Sequence, residues 1–167
     1  MSIHQGISEW DGKSTDKLHS VYEIYGQEPG FSAELIVLLT QESHQKGATW
    51  LLKKHFESGS EIEAAQVERV YESLPTFKHW ETKLHILQCI SYMPISHDGK
   101  NHVEAFLQEC LTEKNKFVRA WAYNGFYELA VQHAEYQDEV GELLDKAMID
   151  EAASVRARIR QIMKKGF

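Results

Sequence analysis

Trp50, Lys83, Trp121 and Arg158 recur along the chain at intervals of 33, 38 and 37 residues, and Lys53 and Asn124 stand three residues after the two tryptophans. Indole rings alternating with cations grip an acidic peptide, or stack a nucleobase through aromatic contact and cation–π attraction. Arg119 and Arg156 form a second set, since a guanidinium clamps a carboxylate or phosphate through two parallel hydrogen bonds. The bland reading is available for both sets. Tryptophans at helical spacing pack between helices, and a repeated arginine ties a turn, for which Asn115, Asp150 and Glu151 are the nearby acceptors.

Other reactive side chains are scattered. His85 and Cys89 are four apart, and His97 and His102 flank Asp98. Two ligands make a weak metal site, and no second cluster at zinc spacing completes either pair. His97-Asp98-Gly99 reads as a turn and helix start, with Asp98 as the cap. No GxSxG elbow, P-loop, GxGxxG or HExxH helix occurs, so the sequence proposes no catalytic residue, no cofactor and no metal.

These side chains need a scaffold, and composition bounds it. With 167 residues, 43% of them hydrophobic, the chain can bury a core without disulfides. The formal net charge is -7, which disfavours general attraction to nucleic acid or an anionic membrane. Charge is uneven: Ala153 to Phe167 carries five cations and no acid, while the residues before it hold 13 basic against 25 acidic, a balance of -12. Cys89 and Cys110 form no CxxC, and MSIHQGISEW lacks the layout of a signal peptide, so a reducing cytoplasm is expected. The longest apolar run, Leu35 to Leu39, is far below the roughly 20 residues of a membrane helix.

Apolar residues recur three or four apart and no segment alternates with β-branched residues, which predicts an all-α chain. Breaks fall at Gln27-Glu28-Pro29-Gly30, Ser58-Gly59-Ser60, Pro75, Pro94 and His97-Asp98-Gly99. A first helix is expected from Ser14, as N-cap, to Tyr25. Eight more follow in pairs: Phe31–Gln41 with Gln45–Glu57, Glu61–Leu74 with Lys78–Met93, Lys100–Thr112 with Lys116–Val131, and Glu135–Ile149 with Ala153–Lys165. Aligning Gly47, Trp80, Val118 and Val155 lays the pairs over one another at spacings of 33, 38 and 37 residues, a helix-turn-helix period.

The last two units carry a specific signature. NKFVRAWA at 115–122 and DEAASVRARI at 150–159 each place a polar turn residue before Val-Arg, with a small or apolar residue four places after the Val. This resembles the second helix of HEAT repeats. In the first two units Gly47-Ala48 and Trp80-Glu81 stand where Val-Arg is expected.

The resemblance implies an α-solenoid, an armadillo-type superhelix of about four HEAT-like helix pairs over residues 31–167, capped by an N-terminal segment and helix in residues 1–30. It implies that Arg119 and Arg156 tie turns, and that Trp50, Lys83, Trp121 and Arg158 face the concave surface with Lys53 and Asn124 one turn onward. The function it implies is non-enzymatic: a scaffold or adaptor that holds another protein or peptide. No membrane is expected from the short apolar runs, and the net charge disfavours nucleic acid. The alternative is an alkylpurine DNA glycosylase of HEAT-like build, which uses groove aromatics and a catalytic carboxylate. Glu57, Glu81 and Glu128 are the acids of the second helices, and none lies beside Trp50 or Trp121 in this register.

Overall fold

The computed structural model describes all 167 residues. The chain is all helical: α1 (Ile3–Ser8), α2 (Asp16–Tyr25), α3 (Phe31–Leu38), α4 (Gln45–Glu57), α5 (Ala64–Ser73), α6 (Trp80–Cys89), α7 (Lys100–Leu111), α8 (Lys116–Gln132), α9 (Gln137–Asp150) and α10 (Ala153–Met163). Short 3-10 turns at Glu42–His44, Leu74–Thr76, Ile90–Tyr92 and Ala134–Tyr136 tighten the connections.

Local chemistry sets most boundaries. Gly30 takes a left-handed backbone, φ 90°, just before α3, a conformation that costs glycine nothing and a β-carbon much. Gly59, φ 87°, does the same after α4. Glu63 and Gln66 close a reciprocal capping box on α5, and Asn115 Oδ1 accepts from the N–H groups of Phe117 and Val118 at the start of α8. Two expected caps are elsewhere. The N-cap of α2 is Thr15, not Ser14. Before α7 the cap position belongs to Gly99, whose N–H is held by Ser96 Oγ at 2.9 Å; Asp98 is exposed.

Even-numbered helices form one layer, α4 on α6, α6 on α8 and α8 on α10, and α2 packs on α4. The odd-numbered helices α3, α5 and α7 follow one another along the other side. One cluster of 43 buried apolar residues runs through all ten helices. In α8 the stripe Val118, Ala122, Gly125, Phe126 and Leu129 is buried against Val103, Phe106 and Leu107 of α7. Gly125 is there because a β-carbon would overlap the Leu107 side chain. α1 adds a helix ahead of α2, seated so closely on α4 that a β-carbon at Gly47 would lie 2.7 Å from Ile7 Cγ2. An aromatic knot of Tyr22, Phe31 and His55 joins α2, α3 and α4.

Candidate functional site

The even helices carry both arginine sets, and their true register separates structural from available side chains. α4, α8 and α10 each place the aligned residue third in the helix: Gly47, Val118 and Val155. In α6 the third residue is Thr82, because the helix starts at Trp80 behind His79, whose Nδ1 accepts from the Glu81 N–H. All four of these third residues are buried. The structural spacings are therefore 35, 36 and 37 residues, and Thr82-Lys83 is the counterpart of Val118-Arg119.

That register corrects one site residue. Lys83 does not join a surface column; its side chain is 4% exposed and its Nζ sits 3.1 Å from Glu109 Oε1 and 2.5 Å from Glu113 Oε1. Burial pulls the ammonium pKa down, but hydrogen bonds to Glu113 and Glu109 outweigh it and hold the group above its ordinary value. Arg119 does the same work one unit on. Its Nε and Nη2 donate to Glu151 at 3.0 to 3.3 Å and its Nη1 donates to the carbonyls of Glu113 and Lys114 at 2.9 Å. The expected turn-tying role of Arg119 is present, with Glu151 as the partner. Arg156, at the same position of α10, differs: its Nε is buried without any hydrogen-bond partner.

The remaining predicted residues lie on a stripe of the even helices. Trp50 is half-buried against the core and meets His19 edge-on, ring centroids 4.8 Å apart. Lys53 reaches Glu57 at 3.3 Å along its own helix. In α6 the structural counterpart of Trp50 is His85, which is buried, bonds through Nδ1 to Thr49 Oγ1 at 3.0 Å, and has its pKa pushed down by burial to about 4. It is neutral at pH 7. Cys89 lies fully buried in the core with its thiol pKa raised by burial, and no three His, Cys, Asp or Glu side chains gather around a common point.

Trp121 and Arg158 come together. The guanidinium carbon lies 4.4 Å from the indole centroid, a cation–π contact that flattens Arg158 on a partly buried ring and leaves its N–H edge free for an acceptor. One turn along α8, Asn124 is only 6% exposed, yet its carboxamide makes no hydrogen bond within the protein and stays open to water. Glu128 follows one turn later, half-buried and without an ion pair, its carboxyl raised by burial against the opposing pull of Lys165. Lys165 itself lies 5.3 Å from the Tyr127 ring centroid. Trp121, Asn124, Glu128 and Arg158 thus make a polar strip with a rigid aromatic floor.

Sequence reasoning missed Glu128 and His85 as members of this face. Thr82-Lys83, a β-branched residue and a cation in place of Val-Arg, was the signal for the right register. No protein-family model, curated protein or solved structure matches the chain. Its function has to be argued from this face.

Proposed function

We propose that this chain is a cytoplasmic, non-enzymatic scaffold or adaptor: an α-solenoid of HEAT-like helix pairs whose concave face, built by α4, α6, α8 and α10, holds an acidic segment of another protein. The observation that carries the reading is the Trp121–Arg158 stack, a guanidinium flattened on an indole at 4.4 Å, with the water-accessible Asn124 carboxamide one turn along α8. A ligand that bonds the Asn124 carboxamide and the Arg158 edge exchanges water for protein–ligand hydrogen bonds, a net gain of about 0.5–1.5 kcal/mol for each neutral bond and more for the charged one. An extended peptide supplies a main-chain N–H and C=O to Asn124 and a carboxylate to Arg158. Trp and Arg are also the residue types that most often dominate interfaces.

The repeat reading draws support from the ties between helices. Lys83 to Glu113, Arg119 to Glu151, Thr49 to His85 and Lys100 to Glu135 span 30, 32, 36 and 35 residues, the separation that links each unit to the next in a stack. The two free cysteines are buried and suit a reducing compartment.

Affinity capture from native cells with the wild type and Trp121→Ala in parallel tests the binding reading. A protein retained by the wild type should be depleted about tenfold or more by Trp121→Ala, with the melting temperature of the variant little changed. Equal retention by both, or loss of the folded state, would refute the assignment of Trp121 to a contact. A base-excision reading finds one favouring observation, the raised and unpaired carboxyl of Glu128 two turns from Trp121. Release of an alkylated base from duplex DNA that disappears in Glu128→Gln would support it, and no release beside an active control enzyme would end it.

A further inference from the structure

A second site lies away from the Trp121 face, in the gap between the first two units. A cleft of about 660 Å³ opens there between the turn before α4 and the turn before α6, lined by eight residues, none of them hydrophobic. In the two later gaps a cation on the even helix reaches an acid on the next turn, Lys83 to Glu113 and Arg119 to Glu151. Here the even-helix position is Ala48, and Lys78 stands four residues before Thr82 where Glu151 stands four before Val155. The cation-to-turn-acid pair of the later gaps is absent at this position, and Lys46 to Glu81 at 2.9 Å is the ion pair that spans the gap instead.

We propose that this cleft binds a small hydroxylated oxyanion, a sugar phosphate or sugar acid. Thr82 is 1% exposed and lines the cleft, and its hydroxyl has no partner in the protein. Its backbone N–H, at the start of α6, is equally free, since the Lys83 N–H takes the His79 carbonyl and the Glu81 N–H takes His79 Nδ1. Two donors from one buried residue therefore point where the partial positive charge of a helix N-terminus favours an anion. Lys78, exposed and only loosely paired with Glu109 at 3.8 Å, and the free Nε2 edge of His79 stand at the rim. Lys46 also lines the cleft but is engaged by Glu81 at 2.9 Å and by the Gly12 carbonyl at 2.6 Å.

The hydroxyl requirement comes from the opposite wall. Gln45 is 5% exposed, with its amide nitrogen donating to the Leu39 carbonyl and to Thr76 Oγ1, both at 3.0 Å. Its Oε1 accepts nothing and, with Glu42, offers acceptors to ligand hydroxyls. No hydrophobic side chain lines the cleft, so it lacks an aromatic or aliphatic platform for a base or acyl chain.

The test is a titration of the full chain with glucose 6-phosphate and with gluconate, read by amide NMR shifts, against glucose and inorganic phosphate as probes of each half alone. Saturable movement of the Thr82 amide with either compound, about fivefold or more tighter than with glucose or phosphate, supports the site, and the better of the two identifies the anion. Thr82→Val should weaken binding about fivefold and Lys78→Glu about tenfold, both with unchanged melting. Trp121→Ala should leave it untouched, which separates this site from the protein-binding face. No saturable shift up to ~20 mM, or shifts indifferent to Thr82→Val and Lys78→Glu, would overturn the proposal. Phosphate binding as tightly as glucose 6-phosphate would overturn the ligand class.

Discussion

The Lys83 tie should respond asymmetrically to removal of its two sides. The ammonium is 4% exposed, whereas Glu109 and Glu113 are 39% and 24% exposed. Lys83→Met takes away a buried charge, fills nearly the same volume, and lets both carboxylates turn to water, so the expected cost is about 1 kcal/mol or less. Glu109→Ala with Glu113→Ala instead strands the ammonium in the core. Breaking a buried pair from that side costs about 3 kcal/mol, which at this length lowers the melting temperature by roughly 6–12 °C. Urea and thermal unfolding, each followed by far-ultraviolet circular dichroism and tryptophan fluorescence, measure the difference. The sign with pH is fixed as well: the folded ammonium is held above its ordinary value, so its stabilisation is complete below that value and lost as pH rises through the folded one. Equal losses in the two variants, or a larger loss in Lys83→Met, would refute the assignment of Lys83 to the interior tie and return it to the exposed face.

Three further outcomes follow from buried titratable groups and the aromatic stripe. His85 is shifted from 6.5 to about 4 by burial, so the folded state binds fewer protons than the unfolded state between those values. Stability should fall by about 3 kcal/mol as pH drops through that window, with smaller losses from His44 and His55, which shift the same way, and His85→Gln should remove the largest share in pH-dependent urea melts. Glu128 is raised by burial, the opposite linkage for a carboxylate: its folded form holds the proton longer, so stability declines as pH rises past the ordinary carboxylate range. Glu128→Gln should raise the melting temperature at pH 7 and leave it unchanged at low pH. Arg158→Ala should relieve cation–π quenching of Trp121 and raise tryptophan emission, at a stability cost of about 0.5–1 kcal/mol because the pair is only partly buried.

Much of the architecture was readable because its punctuation is chemical. Pro29-Gly30, Gly59 and Pro75 stop helices for backbone reasons that no packing overrides, and the eight helices placed after residue 30 all appear with ends shifted by a few residues. α1 escaped because six residues carry too little periodicity, although Ser2 three places before Gln5 is an N-terminal cap signature, and Ser2 Oγ accepts from that Gln5 N–H at 3.1 Å. The slip in α6 has a subtler origin. The sequence alignment sets Trp80 beside Val118, but Trp80 is the first residue of its helix and 40% exposed. A histidine cap is rare enough to hide the start, and the two-residue shift moved Lys83 from the interior to an imagined surface column. Asn124, Trp121 and Arg158 were legible because their register rests on the well-marked Val-Arg units. What made them matter, the missing partner of one and the stacking of the other two, is three-dimensional and has no sequence signal.

The side-chain ties between helices reach no more than 38 residues along the chain. Native contacts with short loops to close predict fast folding that can begin at several places and spread to adjoining helices. Under tension the same wiring leaves nothing that clamps one end to the other. Pulled from its termini, the molecule should yield in several small steps instead of one rupture, shedding helix pairs from an end and taking them back when the force is relaxed.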